Sequence, residues 1–143
     1  EVERRYRALV WGHLEAAQGL IDAPIGRSAR QPTRMGVSTR GREARTRYEV
    51  KERFDQPAPT ALLACRLETG RTHQIRVHLA AIGHPVVGDD RYDGVKAAVA
   101  CPRPFLHAER LGFRHPSTGV ELAFDSPLPA DLTAVLASLH AQN

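Results

Sequence analysis

A chain of 143 residues, 42% of them hydrophobic, can bury one core but is too short for two ordinary domains. It has no run of 18 or more apolar residues, which argues against a membrane-spanning helix, and no charged low-complexity tract that would imply disorder. Cys65 and Cys101 stand far apart without Cys-x-x-Cys spacing, so neither a disulfide framework nor a zinc site is indicated, and the formal charge of +4 leaves a polyanionic partner open.

In chain order, Arg5 to Trp11 carries bulky strand formers and predicts a strand stopped by Gly12. Leu20 to Ile25 predicts a short strand around Pro24. Residues 26–43 hold three glycines, Pro32 and most of the local arginines, which predicts a long basic loop or exposed hairpin with a strand at Met35 to Ser38. Between Arg27 and Arg47 there are seven arginines against one acid, Glu43, whereas from Val77 onward five basic residues face seven acidic ones. This asymmetry points to a polyanion-facing side, and arginine's planar fork suits phosphate.

Arg45 to Phe54 alternates, which predicts a half-buried strand with Tyr48, Val50 and Phe54 on one face and Arg47, Glu49 and Lys51 on the other. Thr60 to Leu67 is a more continuous apolar run and predicts a central strand. Thr72 to Ile82 predicts a helix with Ile75, Leu79 and Ile82 as its buried stripe and Gly83 as its stop. Residues 84–104 predict loops. Leu111 to Phe113 and Val120 to Phe124 flank His115-Pro116-Ser117-Thr118-Gly119 as a hairpin, and Ala130 to His140 predicts a closing helix. The fold class expected is mixed α/β (α+β), a largely antiparallel sheet with flanking helices.

The densest chemistry lies in T-G-R-T-H-Q-I-R-V-H-L, residues 69–79, followed by G-H-P-V-V-G-D, residues 83–89. A helix N-terminus favours an anion, and Arg71, Thr72, His73 and Gln74 add donors at that end. Arg76 sits one turn along, beside the buried stripe, where it requires a carboxylate or phosphate partner. A metal centre from His73, His78, His84 and Asp89 is disfavoured, because His73 and His78 are five residues apart, whereas ligand pairs on a helix are better placed at i and i+4.

These two strings resemble the RluA/RluD-type family of ribosomal large-subunit RNA pseudouridine synthases. Arg5-Tyr6-Arg7-Ala8-Leu9-Val10-Trp11-Gly12, Asp22-Ala23-Pro24-Ile25-Gly26, Leu106-His107-Ala108 and His115-Pro116 also resemble family landmarks, so the resemblance runs over essentially the whole chain. It implies an isomerase that modifies uridines already in RNA, breaking the N-glycosidic bond and rejoining the base through carbon. A catalytic aspartate works there without metal or organic cofactor. Tyr6 matches the tyrosine that packs against the flipped base, and Arg76 the arginine that pairs with the aspartate. Arg71, Thr72, His73 and Gln74 are expected to support the helix start or contact RNA. Arg27, Arg30, Arg34, Arg40 and Arg42 are the expected RNA-binding residues of the basic loop.

The family's H-R-L-D string, upstream of the tyrosine strand, has no counterpart in this chain, and no aspartate here has its context. The expectation is therefore that residues 1–143 are the C-terminal part of a catalytic domain whose upstream segment and N-terminal RNA-binding domain lie outside this sequence. The isolated chain is expected to be inactive and to leave apolar surface uncovered. The complete protein is expected to be a monomer in the cytoplasm with no membrane contact. A second reading is a non-catalytic RNA-binding module that uses the Arg27–Arg47 loop.

Overall fold

The computed structural model describes residues 2–141. Nine strands and two helices follow in the order β1 (Val2–Trp11), β2 (Gln18–Asp22), β3 (Ile25–Arg27), β4 (Met35–Val37), β5 (Arg45–Gln56), β6 (Thr60–Leu67), α1 (Gln74–Ala81), β7 (Leu106–Arg114), β8 (Glu121–Asp125), α2 (Ala130–Ala137) and β9 (His140–Ala141). The main sheet runs β2-β5-β6-β1-β7-β8 with β9 added to β5, and every pairing in it is antiparallel. The mixed, largely antiparallel class expected from the sequence is the class observed. No helix among the described residues is long and apolar enough to cross a membrane.

The apolar runs of β1 and β6 become the sheet's centre because both their faces are covered. Ala8, Leu9, Val10, Ala61 and Leu63 are all fully buried, so inward and outward positions alike must be apolar. One cross-strand row holds Tyr48, Cys65, Tyr6 and Ala108 on a single face. The row on the opposite face, one residue along, holds Arg47, Arg66, Arg5 and Arg110. Acids are interleaved there: Glu68 holds Arg45 and Arg47, Glu3 holds Arg5 and Arg110, and Asp125 holds Arg110.

Four expectations need correction. Phe54 does not share the face of Tyr48 and Val50. The register slips between Val50 and Glu52, leaving Lys51 as an extra residue, and Phe54 is then opposite Thr60 on the face of Leu62. A bulge exchanges the two faces of everything beyond it. The strand expected over Leu20 to Ile25 is broken at Ala23-Pro24 into β2 and β3, since Pro24 has no N–H for the ladder.

The helix expected from Thr72 starts only at Gln74, because His73 takes a left-handed backbone (φ 54°), and Ile82 is exposed past its end rather than part of the stripe. Finally, α2 stops at Ala137, where the Ser138 hydroxyl donates to the Val135 carbonyl (2.6 Å), and His140–Ala141 goes on to pair with β5.

β3 and β4 form a separate two-stranded ribbon at the base of the arginine-rich segment. A small second core of Ile25, Ala44, Val77 and Tyr92, with Met35 and Ala80 against it, seats that ribbon on α1.

Candidate active site

The sheet brings α1 and Tyr6 to one face. Buried Thr46 bonds to two residues of α1, so α1 lies on the face to which Thr46 points. Thr46 and Tyr48 are two apart and share that face, and Tyr48, Cys65 and Tyr6 lie in one row. Tyr6 is half-buried there and packs against the main core. Arg4, two residues before it on the same face, lays its guanidinium over Gly70 in the turn that leads to α1.

α1 is fixed by side chains that look as though they should face solvent. Gln74 is only 2% exposed. Its Oε1 accepts from the Thr69 hydroxyl (2.7 Å) and the Arg71 N–H (3.0 Å), while its Nε2 donates to the Arg45 carbonyl (2.8 Å) and Thr46 Oγ1 (3.0 Å). All of its polar capacity is spent inside the protein, so of the two roles expected it supports the helix start and has none left for RNA.

His78 is fully buried. Its Nε2 donates to the Ala23 carbonyl (2.9 Å), so Nδ1 must accept, and the Thr46 hydroxyl donates to it (2.8 Å). Burial lowers the His78 pKa and keeps the ring neutral. Arg71 also turns back, its Nε donating to the Glu43 carbonyl (2.7 Å), while Thr72 is exposed. Of the four donors expected at the helix start, only Thr72 is free to face outward, and His73 turns to Tyr92.

Arg76 projects from α1 onto Asp89. Its Nε donates to Oδ2 (2.7 Å) and its Nη2 to Oδ1 (2.8 Å), a bidentate pair in which Asp89 is 0% and Arg76 18% exposed. The backbone N–H groups of Arg91 (3.1 Å) and Tyr92 (3.3 Å) also donate to Asp89 Oδ1. Burial alone drives the carboxyl pKa upward, but the Arg76 hydrogen bonds and charge, together with those N–H groups, hold it below the usual carboxylate range. The same hydrogen bonds raise Arg76 above its ordinary value. The partner that the sequence required for Arg76 is thus present in the chain itself. Asp89 is fully enclosed and cannot meet a substrate, so it is not a nucleophile.

Local backbone explains why Asp89 is there. The Gly88 N–H donates to the Gly94 carbonyl (2.9 Å) and the Gly94 N–H to the Asp89 carbonyl (2.6 Å), closing a short loop. A side chain at Gly94 would strike the Val86 carbonyl, and Gly88 has φ +84°, so both positions demand glycine. Trp11 Nε1 donates to the Gly94 carbonyl (2.7 Å) and ties the loop to β1. The spacing G-D-D-R-Y-D-G over residues 88–94 is the sequence signal for this loop and for Tyr92, which is not among the site residues expected above.

Tyr92 is 1% exposed and stands at the junction. The Met35 N–H donates to its hydroxyl (3.2 Å), and the hydroxyl in turn bonds His73 Nδ1 (2.8 Å). Burial and the charges of Arg76 and Arg91 lower the His73 pKa, and with the Met35 N–H on its oxygen the Tyr92 hydroxyl has its own proton to donate to Nδ1. The guanidinium carbons of Arg34 and Arg76 lie 4.8 and 5.2 Å from the Tyr92 ring centre. Arg34 also reaches Asp93 (3.7 Å) and Gln31 (2.9 Å). Arg27, Arg30, Arg40 and Arg42 are exposed on the hairpin segment, with no carboxylate partner among the described residues. Arg27 donates only to the Pro32 carbonyl (3.1 Å).

The histidines do not converge on a metal. Asp89 is taken by Arg76, His78 by Thr46 and Ala23, and His84 Nδ1 by the Trp11 carbonyl (2.8 Å). Among the described residues no group of three or more His, Cys, Asp or Glu side chains is placed to hold a metal ion. A groove of about 1020 Å³ lies away from Arg76. It opens where β6 and the start of β1 part, between Arg4, Arg66, Glu68, Phe113 and Leu122.

The chain is 48% identical over 146 residues to ribosomal large subunit pseudouridine synthase D of Nitrosomonas europaea, covering 97% of this chain and 41% of that protein. It is 44% identical to the uncharacterized RNA pseudouridine synthase YlyB of Bacillus subtilis, covering 97% and 45%. It therefore spans less than half the length of these relatives. Human RNA pseudouridylate synthase domain containing 1 superposes with a TM-score of 0.79 at 30% identity, covering 99% of this chain and 60% of the human one. The family described as RNA pseudouridylate synthase matches residues 1–81, the span that holds Tyr6, the helix-start motif and Arg76, and the chain belongs to that family.

Proposed function

We propose that residues 1–143 are the C-terminal part of the catalytic domain of a pseudouridine synthase acting on large-subunit ribosomal RNA in the cytoplasm as a monomer. The observation that carries this reading is the Arg76–Asp89 pair on the face that Tyr6 shares. Asp89 uses Nε and one N–H of Nη2, and the remaining N–H groups of Arg76 are left for a second carboxylate. That carboxylate is the catalytic aspartate, supplied from outside this chain. Arg76 keeps it ionised and aimed, and Tyr6 packs against the extruded uracil.

The aspartate adds covalently as the N1–C1′ bond breaks, the base turns, and C5 bonds to C1′ as the aspartate is expelled and its carboxylate restored. The C5 proton is then lost and N1 regains one, so no oxidant or cofactor is consumed. Arg27, Arg30, Arg34, Arg40 and Arg42 hold phosphates, with Thr72 beside the helix start. Val2, Leu111 and Phe124 share the Tyr6 face near the start of β1 and are largely exposed, which supports a further segment packing there in the complete protein.

The test is release of tritium from [5-³H]uridine in ribosomal RNA. The full-length polypeptide containing this chain is expected to release it, and residues 1–143 alone are not. Turnover by the isolated chain would show that the nucleophile lies within it. Tight RNA binding without release by the full-length protein would favour the non-catalytic RNA-binding module.

A further inference from the structure

We infer that Tyr92 is a positioning residue that couples the arginine hairpin to Arg76, so that RNA seated on the hairpin helps set the guanidinium that serves the chemistry. The inference rests on the functional reading above. Tyr92 is buried, yet its hydroxyl joins two segments far apart in sequence, the N–H of Met35 in β4 and the ring of His73 before α1.

Its ring lies near two guanidinium groups with different tasks. Arg34 belongs to the exposed basic segment, and Arg76 belongs to the buried pair. Two cations so close to one ring repel each other, and the molecule separates them with a carboxylate each, Asp93 for Arg34 and Asp89 for Arg76. The ring is edge-on to His73 (5.6 Å between centres), whose left-handed backbone also sets where α1 begins.

The ribbon's remaining attachments are mostly within its own segment. Ile25 bonds the Arg42 backbone, Ser28 bonds Arg34, and Ser38 bonds Pro24. Its seat on α1 is the small core in which Tyr92 is the largest side chain. A pull on the phosphate-facing arginines therefore reaches Arg76 through Met35, Arg34 and the Tyr92 ring. This is a chain of direct contacts through which one site can bias another.

Tyr92→Phe in the full-length protein keeps the ring and removes only the hydroxyl. Hydrogen exchange at the Met35 amide is expected to accelerate about fivefold or more, as for one lost hydrogen bond. KM for the RNA is expected to rise about five- to tenfold, with kcat within about twofold. Tyr92→Leu removes the ring as well, and kcat is expected to fall about tenfold further as Arg76 loses its neighbour.

Unchanged exchange and unchanged KM in Tyr92→Phe overturn the inference. So does an equal loss of kcat in both variants with KM unmoved, which would mean Tyr92 acts on the chemistry without the hairpin. If Tyr92→Leu does not fold, Tyr92→Phe alone decides. If the unmodified full-length protein binds RNA but releases no C5 tritium, the functional reading fails. The exchange rate and RNA affinity of Tyr92→Phe still decide the coupling in that case.

Discussion

The molecule makes the same bidentate contact between arginine and aspartate in two settings. Arg76 grips Asp89 with the carboxylate 0% exposed, and Arg103 grips Asp131 with both side chains about 40% exposed, at 42% and 41%. The geometry is alike, with an Nε contact of 2.7 Å in one and 2.8 Å in the other. The surroundings differ. Arg103–Asp131 anchors a loop to the first turn of α2 in high dielectric, where solvent and salt weaken the attraction. Asp89 is shut off from solvent and Arg76 nearly so, and each member depends on the other for its charge. A contact diagram would rate the two as equal, but solvent exposure makes one replaceable and the other a point of failure.

The largest effect expected is from Asp89→Ala, which strands the Arg76 charge. Chemical denaturation should show a loss of about 3–5 kcal/mol. Replacing both partners, as Arg76→Met with Asp89→Leu, should recover part of that stability, since the Arg91 and Tyr92 N–H groups still lose their acceptor. A double variant no more stable than Asp89→Ala would mean that packing, rather than the unpaired charge, causes the loss.

Next, Arg76→Ala in the full-length protein should lower kcat by about a hundredfold or more, equivalent to about 3 kcal/mol. Activity near that of the unmodified protein would place the aspartate's partner elsewhere.

The third expectation concerns pH. His78 has its pKa lowered from 6.5 by burial, so the unfolded chain takes up a proton before the folded one does. The resulting stability is present above pH 6.5 and is lost as pH falls from there towards the folded-state value. His78→Gln should cost about 1–2 kcal/mol at neutral pH, since Thr46 loses its acceptor. It should also flatten the decline between about pH 7 and 5. A decline of unchanged steepness would assign it to His73, whose pKa is also lowered.

Fourth, four hairpin arginines have no carboxylate partner among the described residues, whereas the arginines of the sheet row are interleaved with acids. Replacing Arg27, Arg30, Arg40 and Arg42 with Gln should reduce the slope of log K against log salt for RNA by about 3. An unchanged slope would move the phosphate contacts to the sheet row. Last, Asp131→Ala should leave the thermal midpoint within measurement scatter. A clear drop would erase the contrast between the two pairs.

Much of the fold was legible because the signals are local. Gly12 and Gly83 ended the elements expected to stop there, and the alternation of Arg45 to Val50 marked a strand in the right place. Phe54 was misplaced because a bulge depends on what the partner strand presents, and Lys51 looks like any other residue of the strand. The helix starts later than expected because His73 adopts a left-handed backbone, which is uncommon outside glycine even though histidine adopts it more often than most residues. In the site, Arg76 was identified and the need for a carboxylate was stated. Which of its two expected roles Gln74 takes is not legible, because its inward turn is fixed by Thr69, Arg45 and Thr46, which belong to other elements.

By itself the sequence determined the family, the strand and helix content, and the two chemical demands that follow from residue type: a phosphate-seeking arginine cluster and a charged helix residue needing a partner. Those depend on short-range spacing and on side-chain chemistry, which a linear string carries in full. Only the tertiary structure decided that Asp89 meets that need, and that Gln74 and His78 are internal. It alone brought Arg34, Met35, His73 and Arg76 together on one tyrosine. These outcomes depend on segments up to 58 positions apart (Arg34 to Tyr92) being folded onto each other. Whether a charge is buried, and hence what it is worth, is set by that packing.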